Sequence, residues 1–186
     1  SLGDPPSGLL LTNDAELAER IDRIAYPGLT ANFDVAKTAS LALSLLDWKA
    51  FGSAYAKEMR AVASALAQEL HGRGIPLFGD ERGFTQSHQL AVRAKDFGGG
   101  HKAAQRLREA NILASGIGLP LDPVAGDFNG LRFGTPEIVR LGMTSGDMPE
   151  LAAIVSDALT SDDARSIAPR TIAFRQRFDT LHFVRN

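Results

Sequence analysis

The sequence predicts a mixed α/β chain in which the end of one domain leads, through a long helix, into a small α+β domain. Two observations carry this prediction. Residues 34–72 are helical in character, and after Gly74 the chain changes to short alternations of strand and helix. We therefore expect residues 1–50 to be the end of a larger domain with the linking helix, and residues 51–186 to be a C-terminal small domain.

The chain opens with a predicted strand and a short helix. Residues 8–12 have the apolar character of a short buried strand. Thr12 or Asn13 is placed to cap the helix that follows, with Glu16 as the acidic partner of that cap. We expect Tyr26-Pro27-Gly28 to end the helix, because proline cannot continue it and glycine tolerates positive φ.

The long helix is predicted to begin at Asp34 and to end near Gly72, with a break or bend close to Gly52. Its second part repeats apolar residues at spacings of three and four, which is typical of a helix that buries one face. We assign that face to a core rather than to a cofactor; it consists of Tyr55, Met59, Val62, Leu66 and Leu70.

The region after Gly74 has the pattern of strands and short helices. The predicted strands are residues 75–78, 88–94, 112–115 and 130–134. The predicted helices are residues 100–110, 149–159 and 169–177. This pattern is typical of a small α+β domain.

Composition excludes several classes of partner. A formal net charge of −2 and a pI near 6.1 give no electrostatic reason to expect nucleic acid or an anionic membrane. No apolar run approaches the length of about 18 residues that a membrane span needs. With no cysteine the chain has no disulfides, which fits a cytoplasmic location. The four histidines lie far apart, so no zinc site or other metal site is expected.

The stretch from Gly130 to Met143 holds the best candidate for a binding residue, Arg132. A strand delivers this arginine, Gly134 allows close approach, and Thr135-Pro136-Glu137 begins a helix by cap, proline and acidic residue. A planar guanidinium binds a carboxylate through two hydrogen bonds, so an acid is its natural ligand. The alternative is an arginine paired with an internal Asp or Glu.

This stretch resembles the substrate-arginine motif of serine hydroxymethyltransferases, an arginine followed by Gly-Thr-Pro and then by Arg-Gly. Other segments are similar to the same family in the same order, so the resemblance covers nearly the whole chain. They are Ser1 to Thr12, Tyr26-Pro27-Gly28, Ser87-His88-Gln89-Leu90, Leu119-Pro120-Leu121-Asp122-Pro123, and the end that begins at Arg177-Phe178.

The resemblance implies the C-terminal part of an aspartate-aminotransferase-like, fold type I pyridoxal-phosphate enzyme. The lysine that holds the cofactor is then expected immediately before Ser1, and no catalytic residue is expected within the chain. By the same resemblance Arg132 binds the carboxylate of an amino-acid substrate, and Ser1 lines the pocket. Thr30 and Asn32 lie in the segment that reaches the cofactor phosphate of a partner subunit, which implies a homodimer with shared active sites.

Two departures from the family pattern matter for this expectation. Leu29 to Phe33 lacks the two adjacent glycines that the family uses at the phosphate, so Thr30 and Asn32 are left as donors. Ile117 stands where the family has an asparagine that meets folate, and isoleucine cannot hydrogen-bond a pterin. This argues against the use of tetrahydrofolate.

The expected activity is cleavage or formation of the Cα–Cβ bond of a β-hydroxy amino acid, as in serine/glycine interconversion. Because Ile117 argues against folate, a folate-independent enzyme of the same family stays open as an alternative. The candidates are a threonine-type transaldolase, an aldolase and an α-methylserine hydroxymethyltransferase. An aminotransferase of the same fold also stays open, as does a non-catalytic small-domain fragment or regulatory paralogue. By itself the chain is expected to be an inactive portion that needs the N-terminal part of the same enzyme.

Three further residues are weaker candidates for the site. His88 is interpreted as a structural histidine of a strand. His101 follows three glycines at a helix start, where amides attract phosphate, but an exposed loop fits the pattern better. Arg140 either supports the same cleft as Arg132 or has a purely structural role, and the sequence favours neither.

Overall fold

A computed structural model describes residues 9–32 and 34–185 of the chain. The helices are α1 (Ala15–Arg23), α2 (Val35–Gly72), α3 (Gly100–Glu109), α4 (Pro136–Arg140), α5 (Met148–Thr160) and α6 (Ala168–Arg175). The strands are β1 (Gln89–Arg93), β2 (Ser115–Ile117) and β3 (Gly130–Gly134). This composition confirms the predicted mixed α/β class.

Internal contacts divide the chain into two compact units. Among the described residues, the first runs to Ala50 and includes Arg185, and the second is Phe51–Val184. The assignment of residues 1–50 to a large cofactor-binding domain and of residues 51–186 to a small domain stays a prediction.

The first unit begins with a segment that differs from its prediction. Residues 9–12 form no strand, and the side chains of Leu10 and Leu11 are 74% and 85% exposed. The prediction of a buried strand is therefore wrong for these residues, because no described strand pairs with their backbone; Gly8 lies outside the described residues. The cap of α1 is Asp14, whose carboxylate accepts a hydrogen bond from the Leu17 amide at 2.9 Å.

Tyr26 marks a change of backbone direction after α1. The α-helix ends at Arg23, and a π-helical segment at Ile24–Leu29 contains Tyr26 in an extended conformation, with φ −142° and ψ 128°. The prediction that Tyr26-Pro27-Gly28 ends the helix is confirmed in this sense.

Helix α2 is continuous from Val35 to Gly72, so a break near Gly52 is wrong, and the alternative of a bend there stays a prediction. One glycine costs a helix only about 1 kcal/mol, and alanine, leucine and lysine around it are strong helix formers. The predicted apolar face is confirmed in the second unit: its side chains are 0–4% exposed at Tyr55, Met59, Val62, Leu66 and Leu70.

The second unit contains a three-stranded antiparallel sheet in the order β1-β3-β2. One of its faces is apolar and buried, and is formed by Leu90, Val92, Leu131 and Phe133. Helix α3 packs against β2 and β3 and also contacts α5. Because side chains alternate along a strand, Arg132 lies on the opposite face of the sheet.

Most predicted elements of the second unit are confirmed within two residues, but two strands differ. At residues 75–78 only the single bridge between Leu77 and Val92 forms, because Pro76 has no amide and the Ile75 amide bonds to the Leu70 carbonyl at the end of α2. Strand β2 begins at Ser115 instead of Ile112. The Ile112 amide closes the end of α3 by donating to the Leu107 carbonyl.

Candidate functional site

Arg132 stands in the central strand, with small residues beside it on both neighbouring strands. Ala91 is its partner on β1 and Ser115 its partner on β2. Its side chain is exposed, and across residues 9–32 and 34–185 no carboxylate forms an ion pair with it. The described residues therefore give no support to the alternative in which Arg132 is neutralised within the chain.

Arg132 lines a cavity of about 220 Å³, which we call the Arg132 cavity. The cavity combines one cationic group with mostly apolar and hydroxyl-bearing neighbours, and it is lined by Phe78, Phe84, Thr85, Ser87, Gln89, Leu90, Ala91, Ile117 and Arg132. A concave site with one well-placed charge suits a small organic acid.

A tightly hydrogen-bonded loop shapes one side of this cavity. Gly79 and Gly83 flank a short 3-10 turn with φ of 80° and 81°, which glycine adopts without strain. The Phe84 amide bonds to the Gly79 carbonyl at 2.9 Å. The Thr85 hydroxyl donates to the Gln89 carbonyl at 2.6 Å, which ties the loop to the start of β1.

Thr135 fixes the end of the strand that carries Arg132. Its side chain is fully buried, and its hydroxyl lies 2.8 Å from the Met59 carbonyl and 3.2 Å from the His88 carbonyl. Thr135 lies at the N-cap position of α4, as predicted, but its side chain makes no capping hydrogen bond; its hydroxyl instead donates to carbonyls of α2 and of the residue before β1. The predicted proline and acidic residue in the first turn, Pro136 and Glu137, are confirmed.

The chain matches the sequence model of the serine hydroxymethyltransferase family over residues 11–155. The chain belongs to this family. The resemblance predicted from the sequence is thereby confirmed.

Several similar proteins are aldolases or hydroxymethyltransferases by name. The chain is 52% identical to an alpha-methylserine aldolase of Ralstonia sp, over 100% of the chain and 42% of that protein. It is 56% identical to one of Variovorax paradoxus, over 99% of the chain and 42% of the relative. A serine hydroxymethyltransferase of Korarchaeum cryptofilum is 38% identical, over 96% of the chain and 42% of the relative.

The fold is also found in a solved structure. The L-threonine transaldolase of Pseudomonas fluorescens superposes with a TM-score of 0.80 at 23% identity, over 93% of this chain and 40% of the transaldolase. The predicted fold class, part of a fold type I enzyme, is confirmed by this likeness together with the family match. The chain spans about two fifths of the length of the curated relatives it matches.

The predicted cofactor-binding residues of this family member lie in the first unit or outside the described residues. Both the hydroxyl and the amide of Thr30 donate to the Ala25 carbonyl, at 2.6 Å and 3.0 Å, so neither is directed outward in this conformation. Asn32 is exposed, and Ser1 lies outside the described residues. Of the site residues predicted from sequence, Arg132 is the one that the second unit places in a cavity.

His88 and Arg140 occupy different surroundings. Burial lowers the pKa of the His88 imidazole below its ordinary value, and the positive charge of Arg132 lowers that pKa further. Both effects favour the neutral imidazole beside Arg132. The Arg140 guanidinium lies 5.1 Å from the centre of the Tyr55 ring and does not line the Arg132 cavity.

Phe84 belongs to this site but is not among the residues that the sequence predicts. Phe84 has φ 68° and lines the Arg132 cavity. The glycine before it was the available signal, since Gly83 and Gly79 mark a tight turn next to a strand.

Neither a membrane-crossing helix nor a metal site is found in the part of the chain that the structure describes. None of its helices is long and apolar enough to cross a membrane. No group of three or more His, Asp or Glu side chains there is placed to hold a metal ion.

Proposed function

We propose that this chain is part of a pyridoxal-phosphate enzyme that cleaves or forms the Cα–Cβ bond of a β-hydroxy amino acid without tetrahydrofolate. α-Methylserine is the proposed substrate class, since the relatives at 52–56% identity include alpha-methylserine aldolases. The observation that carries the proposal is the exposed Arg132 guanidinium in a small cavity, without a carboxylate partner in the described chain.

Arg132 binds the amino-acid carboxylate in this proposal. Hydrogen bonds from two neighbouring strands hold β3 on both sides, and Thr135 anchors its end. The guanidinium therefore reaches the carboxylate from a rigid strand, and the orientation of the bonds at Cα follows from that contact. Pyridoxal phosphate supplies, when bound, the electron sink that bond cleavage at Cα needs.

Ile117 supports the folate-independent form of the reaction. Its side chain lines the Arg132 cavity and offers no donor or acceptor to a pterin. A serine hydroxymethyltransferase acting with tetrahydrofolate is the second candidate, favoured by relatives of that name at 31–38% identity.

The rest of the enzyme completes the site in this proposal. The lysine that holds the cofactor precedes Ser1, and Thr30 and Asn32 face the cofactor phosphate of the partner subunit in a cytoplasmic homodimer. A rearrangement of Thr30 is then required, because its two donors now bond to Ala25. Exposed leucines of the first unit support burial against further protein, among them Leu29, 80% exposed, and Leu43, 61% exposed.

Replacement of Arg132 in the intact enzyme tests the proposal. We expect Arg132→Ala to weaken amino-acid binding by about 3 kcal/mol, on the order of 100-fold, because a desolvated carboxylate loses its partner. Arg132→Lys restores the charge without the two-point geometry and is expected to recover part of that affinity. The measurement is titration with α-methylserine, followed by cofactor absorbance, and formaldehyde release without tetrahydrofolate.

Arg93 provides the matched control. It lies on the same face of the sheet, but its guanidinium pairs with the Asp80 carboxylate at 2.9 Å. Arg93→Ala is expected to leave amino-acid affinity within about twofold, an energy difference of ~0.4 kcal/mol. Unchanged affinity in Arg132→Ala contradicts the assignment, and activity that requires tetrahydrofolate favours the second candidate.

A further inference from the structure

We infer that Ile117 and Phe84 form an apolar wall that contacts the methyl group on Cα of the amino acid bound by Arg132. This inference rests on the proposed function and deepens it, because it names the residues that distinguish a Cα-methylated substrate from its unmethylated counterpart. Three features of the Arg132 cavity carry it.

The register of the sheet places Ile117 on the face that bears Arg132. Ser115 pairs with Arg132, and Ile117, two residues further along β2, pairs with Gly130. Alternate residues of a strand share a face, so the isoleucine side chain lies diagonally beside the arginine. Gly130 itself has no side chain, and the Leu119 side chain occupies the space that a Cβ atom of residue 130 would take, 2.6 Å from that position.

Phe84 adds a second apolar group, held in an unfavourable backbone conformation. Its φ of 68° is rare for a bulky residue. The amide bond to Gly79 and a ring contact with His71, with centroids 5.2 Å apart, hold it there. Such conformations persist where the surrounding structure over-determines them, and they cluster at binding sites.

The polar groups of the loop are turned to its own backbone. Thr85 donates its hydroxyl to the Gln89 carbonyl at 2.6 Å, and the Ser87 hydroxyl lies 3.2 Å from the same carbonyl. The Thr85 and Ser87 hydroxyls are therefore not available to a polar ligand group that lies against Ile117 and Phe84. An alkyl group at the same place needs no hydrogen-bond partner. The cavity of about 220 Å³ therefore favours a ligand with a carboxylate at one side and an alkyl group at the other.

The size of the effect follows from one methyl group. Burial of a methyl or methylene group contributes roughly fourfold in affinity. We expect the intact enzyme to bind alanine about fourfold more tightly than glycine, since the two differ only by the methyl on Cα. Alanine and glycine are the amino acids that remain when α-methylserine and serine lose formaldehyde, so both are direct probes of the site.

The test measures Kd for alanine and glycine, and KM for α-methylserine and serine, in the intact enzyme with Ile117→Ala. We expect the alanine preference to fall by about threefold, most of the one-methyl effect, with glycine affinity held within about twofold. Ile117→Val, which removes less volume, is expected to give a smaller change in the same direction. Ile138→Ala is the control, because Ile138 lines a different cavity.

The outcomes separate this inference from the proposed function. The inferred apolar wall is contradicted if the ratio of the glycine Kd to the alanine Kd is unchanged in both Ile117 variants. It is also contradicted if alanine and glycine lose affinity equally. If wild-type enzyme binds neither amino acid, the proposed function fails instead. If Ile117→Ala does not fold, the ratio in Ile117→Val decides: a reduced alanine preference supports the wall and an unchanged one overturns it.

Discussion

The N-terminus of α3 is bound by the carboxylate of Asp127. Its carboxylate accepts hydrogen bonds from the amides of His101 at 2.8 Å, Lys102 at 3.1 Å and Phe128 at 2.6 Å. A Cβ atom added at Gly99 would lie 2.4 Å from a carboxylate oxygen of Asp127, so glycine is required at that position for Asp127 to approach the helix. The helix N-terminus near His101, a candidate for phosphate from the sequence, is therefore occupied by an internal carboxylate.

The Asp127 carboxylate also makes stability depend on pH. Burial raises its pKa, but the three backbone hydrogen bonds outweigh burial and hold the pKa below its ordinary value. A carboxyl group with a lowered folded-state pKa stabilises the protein above its unfolded pKa, and this stabilisation is lost as pH falls through the folded pKa. Asp127→Asn is therefore expected to lower the thermal midpoint by a few degrees near neutral pH.

The difference between wild type and Asp127→Asn should shrink as the pH falls through the folded-state pKa, because wild type is then itself protonated. Thermal unfolding of the intact enzyme at neutral and acidic pH measures this. Asp96→Asn is a suitable control, since Asp96 is exposed on a short 3-10 turn that has no side-chain cap. An equal difference at both pH values would contradict the assigned role of the charge.

The sequence predicts the role of a residue where that role depends on its neighbours in the chain. It does not predict a role that depends on a partner far away in the sequence. The sequence places Arg132 on a strand because alternation and the following proline are local signals. The predicted cap of α1 is wrong because Thr12, Asn13 and Asp14 are all competent acceptors, and only the backbone geometry selects Asp14. The role of Thr135 escapes local patterns because its partner, Met59, lies 76 positions away in the sequence.

At the level of elements, Thr135 joins three parts of the second unit. It follows β3, its hydroxyl reaches the Met59 carbonyl of α2, and its amide donates to the His88 carbonyl at 3.0 Å just before β1. These bonds hold the end of β3, so the position of Arg132 depends on them. A buried hydroxyl of this kind is costly to remove without replacement.

Thr135→Val is expected to lower the free energy of unfolding by about 1–3 kcal/mol, because valine has the same shape but no donor for the buried carbonyls. Denaturant unfolding of the intact enzyme measures the change. Thr171→Val is the matched control: Thr171 is also buried, but its hydroxyl makes only a 3.4 Å contact with the carbonyl of Ile167, the residue just before its helix. Equal losses in the two variants would show that Thr135 has no special role.

Element boundaries follow the sequence wherever one periodicity holds. All five residues predicted for the buried face of α2 are buried, although Ala63 and Ala67 of the same helix are buried as well, and β3 is predicted to the residue. The strand predicted at residues 75–78 does not form in full because the end of α2 takes the Ile75 amide, a contact between elements that periodicity does not report. The sheet order, with β3 in the centre, is likewise outside the reach of the local pattern.

On the scale of the whole molecule, the two units differ in how they bury apolar side chains. The apolar core residues of the described chain, from Tyr55 to Phe174, all belong to the second unit. In the first unit large apolar side chains are exposed, including Leu9, Leu17, Ile24, Leu45 and Leu46 at 42–56%. Sequence patterns could not show this difference, because an apolar face has the same periodicity whichever chain segment covers it.

The proposed burial of the first unit by the rest of a longer enzyme predicts unequal stability in the isolated 186-residue chain. We expect amides of residues 15–50 to exchange hydrogen at least about tenfold faster than those of residues 55–70, because few buried contacts oppose their local opening. In the intact enzyme the difference should shrink, since the exposed leucines are then covered. Hydrogen exchange followed by mass spectrometry measures both.

The two halves of α2 provide an internal comparison for this experiment. Residues 35–50 and 55–70 belong to the same helix and have similar helix propensity, so tertiary burial is the main difference between them. Equal protection of the two halves in the isolated chain would show that the first unit is stable without further protein. Equal protection of the two halves in the intact enzyme, with rapid exchange of residues 35–50 in the isolated chain, is the pattern expected if the rest of the intact enzyme covers this segment.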